Sequence, residues 1–128
     1  MTPIDFFFRA AQRFPERIAL DAPGRQIRYR ELAADVNAFA AALQAIDPEP
    51  GSRVALSAGN TIEHVTALLA ILAAGKVWVP ISYRSTSTET ERIAAAIMPS
   101  IVLSDALGAP LVDGPACRAA HRIRIDDP

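Results

Sequence analysis

The chain has 128 residues, of which 51% are hydrophobic and 21% charged, and its formal net charge at pH 7 is −1. The length predicts one domain spanning 1–128, and the composition excludes an intrinsically disordered chain. So small a net charge gives no reason to expect nucleic acid or an anionic membrane as partner. Cys117 is the only cysteine, which excludes an internal disulfide, and no apolar run reaches the roughly 20 residues of a membrane helix. We therefore expect a cytoplasmic protein without a membrane span.

The N-terminal region predicts a helix followed by a β-hairpin. Thr2 can cap the helix, Pro3 suits its first turn, and Pro15 ends it. The segments 18–20 and 26–29 then read as short strands separated by a Pro-Gly turn signal.

The next region predicts a helix, a buried strand and a second helix. Apolar residues at helical spacing fill 31–46, and 53–57 reads as a buried strand. Asn60 is the predicted cap of the second helix, with Glu63 in the capping-box position. Gly75 stands where a left-handed helix terminator belongs.

The remaining chain continues the alternation of strands and helices. We predict a strand at 77–81, a helix between Thr86 and Pro99, and a strand at 101–103. A loop region with a short strand near Leu111–Val112 and a last strand at 122–125 follow. Because the central strands are continuous apolar runs, the predicted fold class is α/β, a mostly parallel sheet with helices on both faces plus the N-terminal β-hairpin.

Four segments, 27–32, 50–56, 59–63 and 72–82, carry short motifs in a characteristic order and spacing. Together they resemble the adenylate-forming superfamily. Ile27–Leu32 is similar to its Thr/Ser-Tyr-x-Glu-Leu motif, and Pro50–Leu56 and Gly59–Glu63 are similar to its Gly-Asp-Arg-Val and Asn-x-x-Glu segments. Leu72–Ser82 is similar to its Lys-Ala-Gly-x-x-x-x-Pro-Leu motif. The resemblance implies part of the large N-terminal domain of acyl-CoA synthetase-like enzymes. Such enzymes activate a carboxylate with ATP and Mg²⁺ and then usually form a thioester, with coenzyme A in the acyl-CoA synthetase branch, which this chain resembles most.

Two residues depart from the motifs. Arg28 stands where the family usually has Thr or Ser, and an arginine side chain cannot accept the capping hydrogen bond, a loss of about 1 kcal/mol. Ser52 replaces the usual Asp, and no functional meaning follows from that replacement.

The family's phosphate-binding loop has no counterpart in this sequence. The six glycines form no phosphate-loop pattern, and the only lysine, Lys76, lies between a helix and a strand. In the family this loop typically follows an acidic stretch such as Asp126-Asp127-Pro128, where this sequence ends. We therefore expect an N-terminal segment that is inactive in isolation, with no catalytic, cofactor-binding or metal-binding residue, and with the remainder of the parent enzyme as partner.

Several individual residues are candidates for chemistry. His64 and His121 lack predicted partners for a metal or a triad, and Cys117 lacks a basic neighbour that would lower its pKa, so structural roles are favoured. Asp126 and Asp127 could pair as carboxylates, but a solvated chain end is the favoured reading.

Three further positions have both a functional and a structural interpretation. Gly59–Asn60 follows a strand at the sheet end where α/β proteins bind ligands, although a tight turn with a helix cap explains both residues. Trp78 reads as a core residue rather than a substrate platform, and Arg84 reads as a surface arginine rather than part of a substrate cleft.

A standalone, non-catalytic α/β binding module of flavodoxin-like topology is the alternative function, and a regulatory partner of a full-length synthetase is a third. A fragment should expose apolar surface and an unpaired sheet edge. The fragment reading therefore predicts self-association.

Overall fold

The computed structural model describes residues 2–127. Six helical segments and six strands alternate along the chain in the following order: α1 (Pro3–Arg13), β1 (Ile18–Ala22), β2 (Arg25–Arg28), α2 (Tyr29–Ile46), β3 (Arg53–Ser57), α3 (Ile62–Ala73), β4 (Val77–Pro80), α4 (Ser87–Ile97), β5 (Ile101–Ser104), a 3-10 helix (Ala109–Leu111), α5 (Pro115–Arg118) and β6 (His121–Arg124). Within residues 2–127, no helix combines the length and the apolar character needed to cross a bilayer.

The four strands β3 to β6 form one parallel sheet in the order β4-β3-β5-β6. Ala55 in the central strand β3 aligns with Val79 of β4 on one side and with Val102 of β5 on the other. The strands β1 and β2 pair antiparallel in a separate hairpin, with an irregularity between Ile18 and Leu20. The predicted parallel sheet and N-terminal hairpin are therefore confirmed.

Helices cover both faces of the sheet because alternate strand residues point to opposite sides. On one face, α2 and α3 pack on a core that includes Leu43, Leu56, Ile71 and Leu103. On the other face, α4 and α5 bury a second cluster, which includes Ala55, Ala94, Val102 and Cys117. Each fully buried Leu, Ile or Val side chain in these clusters contributes about 1.5–3 kcal/mol relative to exposure.

The helix α1 and the hairpin pack against α2 and α3 rather than against the sheet. Their shared core is centred on Ile27, Leu32, Val36 and Ile62. An ion pair between Arg25 of the hairpin and Glu63 of α3 joins the two parts at the surface.

The predicted helix cap at Asn60 is wrong by one residue. Thr61 is the cap, because its Oγ1 accepts a hydrogen bond from the backbone N–H of His64 at 3.1 Å. Glu63 does not close a capping box but pairs with Arg25. Arg28 caps α2 only through its backbone, whose N–H donates to Glu31 Oε1 at 3.2 Å, while its guanidinium donates to the carbonyl of Glu16 at 2.7 Å.

The predicted strand near Leu111–Val112 is also wrong. Residues 109–111 form a 3-10 helix, and α5, which the sequence did not predict, follows it. Glu91 of α4 accepts hydrogen bonds from the N–H groups of Ala116 and Cys117, so a contact from a distant element holds the start of α5.

The helix terminator at Gly75 is confirmed. Its φ of 75° lies in the left-handed region, where a side chain is strained. Gly75 N–H donates to the carbonyl of Leu72 and Lys76 N–H to that of Ile71, both at 3.1 Å, which are the two hydrogen bonds of a Schellman motif.

Candidate functional site: the carboxyl edge of the sheet

The connections after β3 and β5 leave the sheet on opposite faces. The helix α3 follows β3 and packs on the α2 face, whereas the 3-10 helix and α5 follow β5 and pack on the α4 face. Ligands of open α/β sheets bind at the crevice that such a divergence opens at the carboxyl ends of the strands. The loops at 58–61 and 105–108 border this crevice.

The carboxylate of Asp105 accepts hydrogen bonds from both of these loops. Its Oδ2 accepts from the N–H of Gly59 at 2.9 Å, and its Oδ1 accepts from those of Leu107 and Gly108 at 2.9 and 3.0 Å. Asp105 is only 7% exposed. The backbone donors that could hold an anionic ligand here are thus engaged by a side chain of the protein itself.

The ligand role considered for Gly59–Asn60 is therefore not supported by the position of Gly59. A Cβ on Gly59 would lie 2.9 Å from the side chain of Leu107, so the glycine allows the two loops to approach each other. Asn60 is exposed beside this contact.

The two histidines lie at opposite ends of the sheet. His64 is half-buried in the first turn of α3, near the carboxyl end of β3, and its Nδ1 lies 3.1 Å from the carbonyl oxygen of Ala58 and 3.0 Å from that of Gly59. His121 is exposed at the amino end of β6. Across residues 2–127, no group of three or more His, Cys, Asp or Glu side chains is arranged to hold a metal ion.

The remaining candidates divide between buried and exposed positions. Cys117 is buried, and burial together with the nearby Glu91 carboxylate raises the pKa of its thiol. Trp78 is half-buried against the α2–α3 core, as predicted. Arg84 is exposed, with its guanidinium 5.4 Å from the ring centre of Tyr83.

Asp126 and Asp127 are both exposed, as expected for a solvated chain end, but Asp126 also makes contacts that the sequence did not predict. Its carboxylate accepts from the guanidinium of Arg124 at 2.9 and 3.0 Å and from the backbone N–H of Ala106 at 3.0 Å. The hydrogen bonds from Arg124 are the main cause that lowers the pKa of Asp126. Asp127 is exposed.

Lys76 has a structural contact that the sequence did not predict. Its ammonium donates to the carbonyl oxygens of Asp47 and Glu49 and lies 3.6 Å from the Asp47 carboxylate. The Lys76 side chain is 1% exposed, so it ties the loop before β3 to the turn before β4. These contacts join residues 29 and 27 positions apart, so no local sequence pattern predicts them.

These features define a three-layer α/β fold in which the Asp105 carboxylate engages backbone N–H groups at the carboxyl edge of the sheet. Residues 7–126 match the family described as AMP-binding enzyme. The chain belongs to this family.

Named relatives and solved structures agree with this assignment. Phenyloxazoline synthase MbtB of Mycobacterium tuberculosis is 37% identical over 114 residues, which are 89% of this chain and 8% of that protein. The 3-oxocholest-4-en-26-oate–CoA ligase of Rhodococcus rhodochrous is 33% identical over 89 residues, 70% of this chain and 16% of that protein. The N-terminal subdomain of NpsA from Klebsiella oxytoca superposes with a TM-score of 0.83 at 31% identity, covering 96% of this chain and 30% of that one. The chain thus spans a small part of the length of these proteins.

Proposed function

We propose that this chain is the N-terminal part of an enzyme that activates a carboxylic acid with ATP to form an acyl-adenylate. The observation that carries the proposal is the family match over residues 7–126. The four motifs lie on consecutive elements, from the end of β2 through β3 and the start of α3 to β4. In this proposal residues 1–128 are one structural unit of a larger N-terminal domain, and ATP and Mg²⁺ bind to the intact enzyme.

The acceptor of the acyl group in the proposed enzyme is a thiol. The CoA ligase relative supports the acyl-CoA synthetase reading, in which coenzyme A is the second substrate. The second candidate is an adenylation unit of a peptide-forming synthetase, which the similarity to the phosphinothricin tripeptide synthetase PhsC of Streptomyces viridochromogenes supports. Assaying the full-length gene product for acyl-CoA formation distinguishes the two, because only the first converts free coenzyme A.

The chain by itself contributes scaffold and no catalytic, cofactor-binding or metal-binding residue in this proposal. Gly59 and Gly108 direct their N–H groups to Asp105, and Lys76 directs its ammonium to loop carbonyls. The groups that most resemble parts of a phosphate site are therefore committed to the fold. Mixing the chain with ATP, Mg²⁺, coenzyme A and aliphatic or aromatic acids should release no pyrophosphate, and release at an enzymatic rate would contradict the scaffold role.

A chimera tests the scaffold role directly. Residues 2–127 replace the matching segment of the NpsA N-terminal subdomain, which has been seen in complex with 3-hydroxyanthranilyl-AMSN. We expect the chimera to bind this compound with an affinity within about tenfold, or about 1.4 kcal/mol, of the unmodified subdomain. A folded chimera that does not bind it would overturn the proposal.

Self-association and a cytoplasmic location stay predictions for the isolated chain. The outer edge of β6 has no strand partner among the described residues, and a groove of about 430 Å³ beside α2 includes Phe39 and Ile125 in its lining. We expect concentration-dependent association in sedimentation experiments. A strictly monomeric profile at high concentration would instead favour the standalone binding module.

A further inference from the structure

A groove and an open strand edge meet at β6 and form one surface. The groove, of about 430 Å³, lies between α2, the first turns of α3 and β6, and is called the α2 groove below. Five α2 residues line it, at positions 35, 38, 39, 42 and 43. This spacing is that of one helix face, so their side chains point the same way. From β6, Ile123 and Ile125 line the groove, and both pack against the α2–α3 core.

The lining of the α2 groove is suited to apolar side chains. Leu43 and Ile62 of this lining are buried. Arg25 and Glu63 form an ion pair with each other, and Asp35 is exposed to solvent. A partner that packs in this groove therefore needs apolar groups rather than a charge, because the charged side chains of the lining are already paired or solvated.

The backbone of β6 directs two residues toward the open edge of the sheet. The N–H groups of His121 and Ile125 donate at 3.0 and 2.9 Å to carbonyl oxygens in β5 and immediately before it. In a parallel ladder alternate residues bond to the same neighbour, so Arg122 and Arg124 direct their N–H and C=O groups outward. Within residues 2–127, β6 pairs with β5 alone. The outer edge can therefore accept a further strand beside the α2 groove.

We propose that a β-strand from the part of the enzyme that follows residue 128 pairs with the outer edge of β6 and places alternate apolar side chains in the α2 groove. This inference rests on the proposed function, in which the chain is one part of a larger N-terminal domain. The N-terminal subdomain of NpsA has room for such a strand, since this chain covers 30% of it. Ile125 lines the groove, and three residues span at most about 11 Å, so a following segment begins close to this surface.

A second copy of the chain fits this edge less well than a strand of different sequence. The symmetric antiparallel pairing of two β6 edges centred on Ile123 would place Arg122 of one copy opposite Arg124 of the other. Like charges directly opposite each other across two strands are destabilising. A strand from elsewhere in the enzyme satisfies the same outward N–H and C=O groups without this repulsion.

Hydrogen exchange at single-residue resolution tests the strand pairing by comparing the dilute 128-residue chain with the full-length gene product. We expect the Arg122 and Arg124 amides to exchange more slowly by about tenfold or more in the full-length product. The Ile123 amide, which points to β5, should exchange slowly in both. Equal exchange of the two arginine amides in the two proteins would overturn the proposal. Their protection in the isolated chain as its concentration rises would identify a second copy as the occupant and would also overturn it.

Two variants on α2 test the groove. Ala42 lines it and Ala41 does not, and both residues are exposed. In the full-length product Ala42→Glu should restore fast exchange of the Arg122 and Arg124 amides, whereas Ala41→Glu should leave it slow. In the 128-residue chain the two variants should unfold at the same temperature. Equal protection of the arginine amides in both full-length variants would overturn the proposal. If full-length Ala42→Glu fails to fold, the comparison of the unmodified proteins decides.

The same full-length sample separates this inference from the proposed function when adenylate formation is measured beside hydrogen exchange. Protected Arg122 and Arg124 amides in a product that forms no acyl-adenylate would support the strand pairing and contradict the proposed function. Acyl-adenylate formation by a product in which both amides exchange as fast as in the isolated chain would overturn the strand pairing alone.

Discussion

The substitution Lys76→Met tests whether a buried ammonium group holds two loops of this fold together. Methionine has a similar length and fills the same space, but it cannot donate to the carbonyl oxygens of Asp47 and Glu49. Hydrogen bonds from a charged donor contribute about 1.5–3 kcal/mol each, while removal of a buried charge returns part of that energy. We therefore expect the free energy of unfolding to fall by about 2 kcal/mol.

Urea unfolding followed by circular dichroism measures this loss, with the m-value checking that the unfolding remains two-state. The matched control is Arg92→Met, because the Arg92 side chain is 73% exposed and pairs with Glu89 at the surface of α4. Exposed ion pairs of this kind contribute about 0–1 kcal/mol. A Lys76→Met loss no larger than that of Arg92→Met would refute the conclusion that the ammonium is a structural tie.

Four further substitutions test the loops and turns. Asp105→Ala should lower the free energy of unfolding by about 3 kcal/mol and speed the hydrogen exchange of the Gly59 amide, since three N–H groups lose their acceptor. Gly75→Ala should cost about 1–2 kcal/mol from its left-handed φ alone. Gly108→Ala should cost about 3 kcal/mol or more, because its Cβ would lie 1.8 Å from a carbonyl oxygen of β3; equal losses for the two glycines would contradict this ranking. The nearby hydroxyls of Ser100 and Ser52 and the Glu49 N–H, which donates to Asp47 Oδ1, hold the pKa of Asp47 below its usual value. The stability that Asp47 provides is therefore present above about pH 4 and is lost as the pH falls further, so Asp47→Asn should flatten this decline in acid titrations.

The sequence predicted the elements whose causes are local. The left-handed residue at Gly75 and the hydrogen bond from Glu89 N–H to Thr86 Oγ1 at 3.0 Å involve neighbours within a few positions. The continuous apolar run at 101–103 predicted a buried parallel strand. Every residue of such a run can be apolar because helices cover both faces of that strand. Thr61 was missed because it stands beside an equally good capping residue, Asn60, and only the path of the chain out of β3 selects between them.

Features that depend on distant residues could not be predicted in this way. The short helix α5 begins where Glu91, 25 positions earlier, accepts from the N–H of Ala116. A groove lined by Leu20 and His64 exists because the hairpin packs beside α3. No sequence pattern within either segment predicts that packing. The turn formed by Asp105 with Leu107 and Gly108 is local, but its hydrogen bond to Gly59 spans 46 positions.

The contacts of Asp105 show that the glycines at the carboxyl edge of the sheet have a structural role. In phosphate-binding α/β proteins, glycines at this edge let the backbone approach a ligand. Here Gly108 lets the backbone approach β3, since any side chain would collide with the carbonyl of Ser57, and its N–H points to Asp105. Gly59 makes the same carboxylate contact from the other loop. Glycines that follow a parallel strand therefore indicate either a ligand site or close packing of the backbone. The acceptor of their N–H groups distinguishes these two cases, and in this chain that acceptor is the buried Asp105.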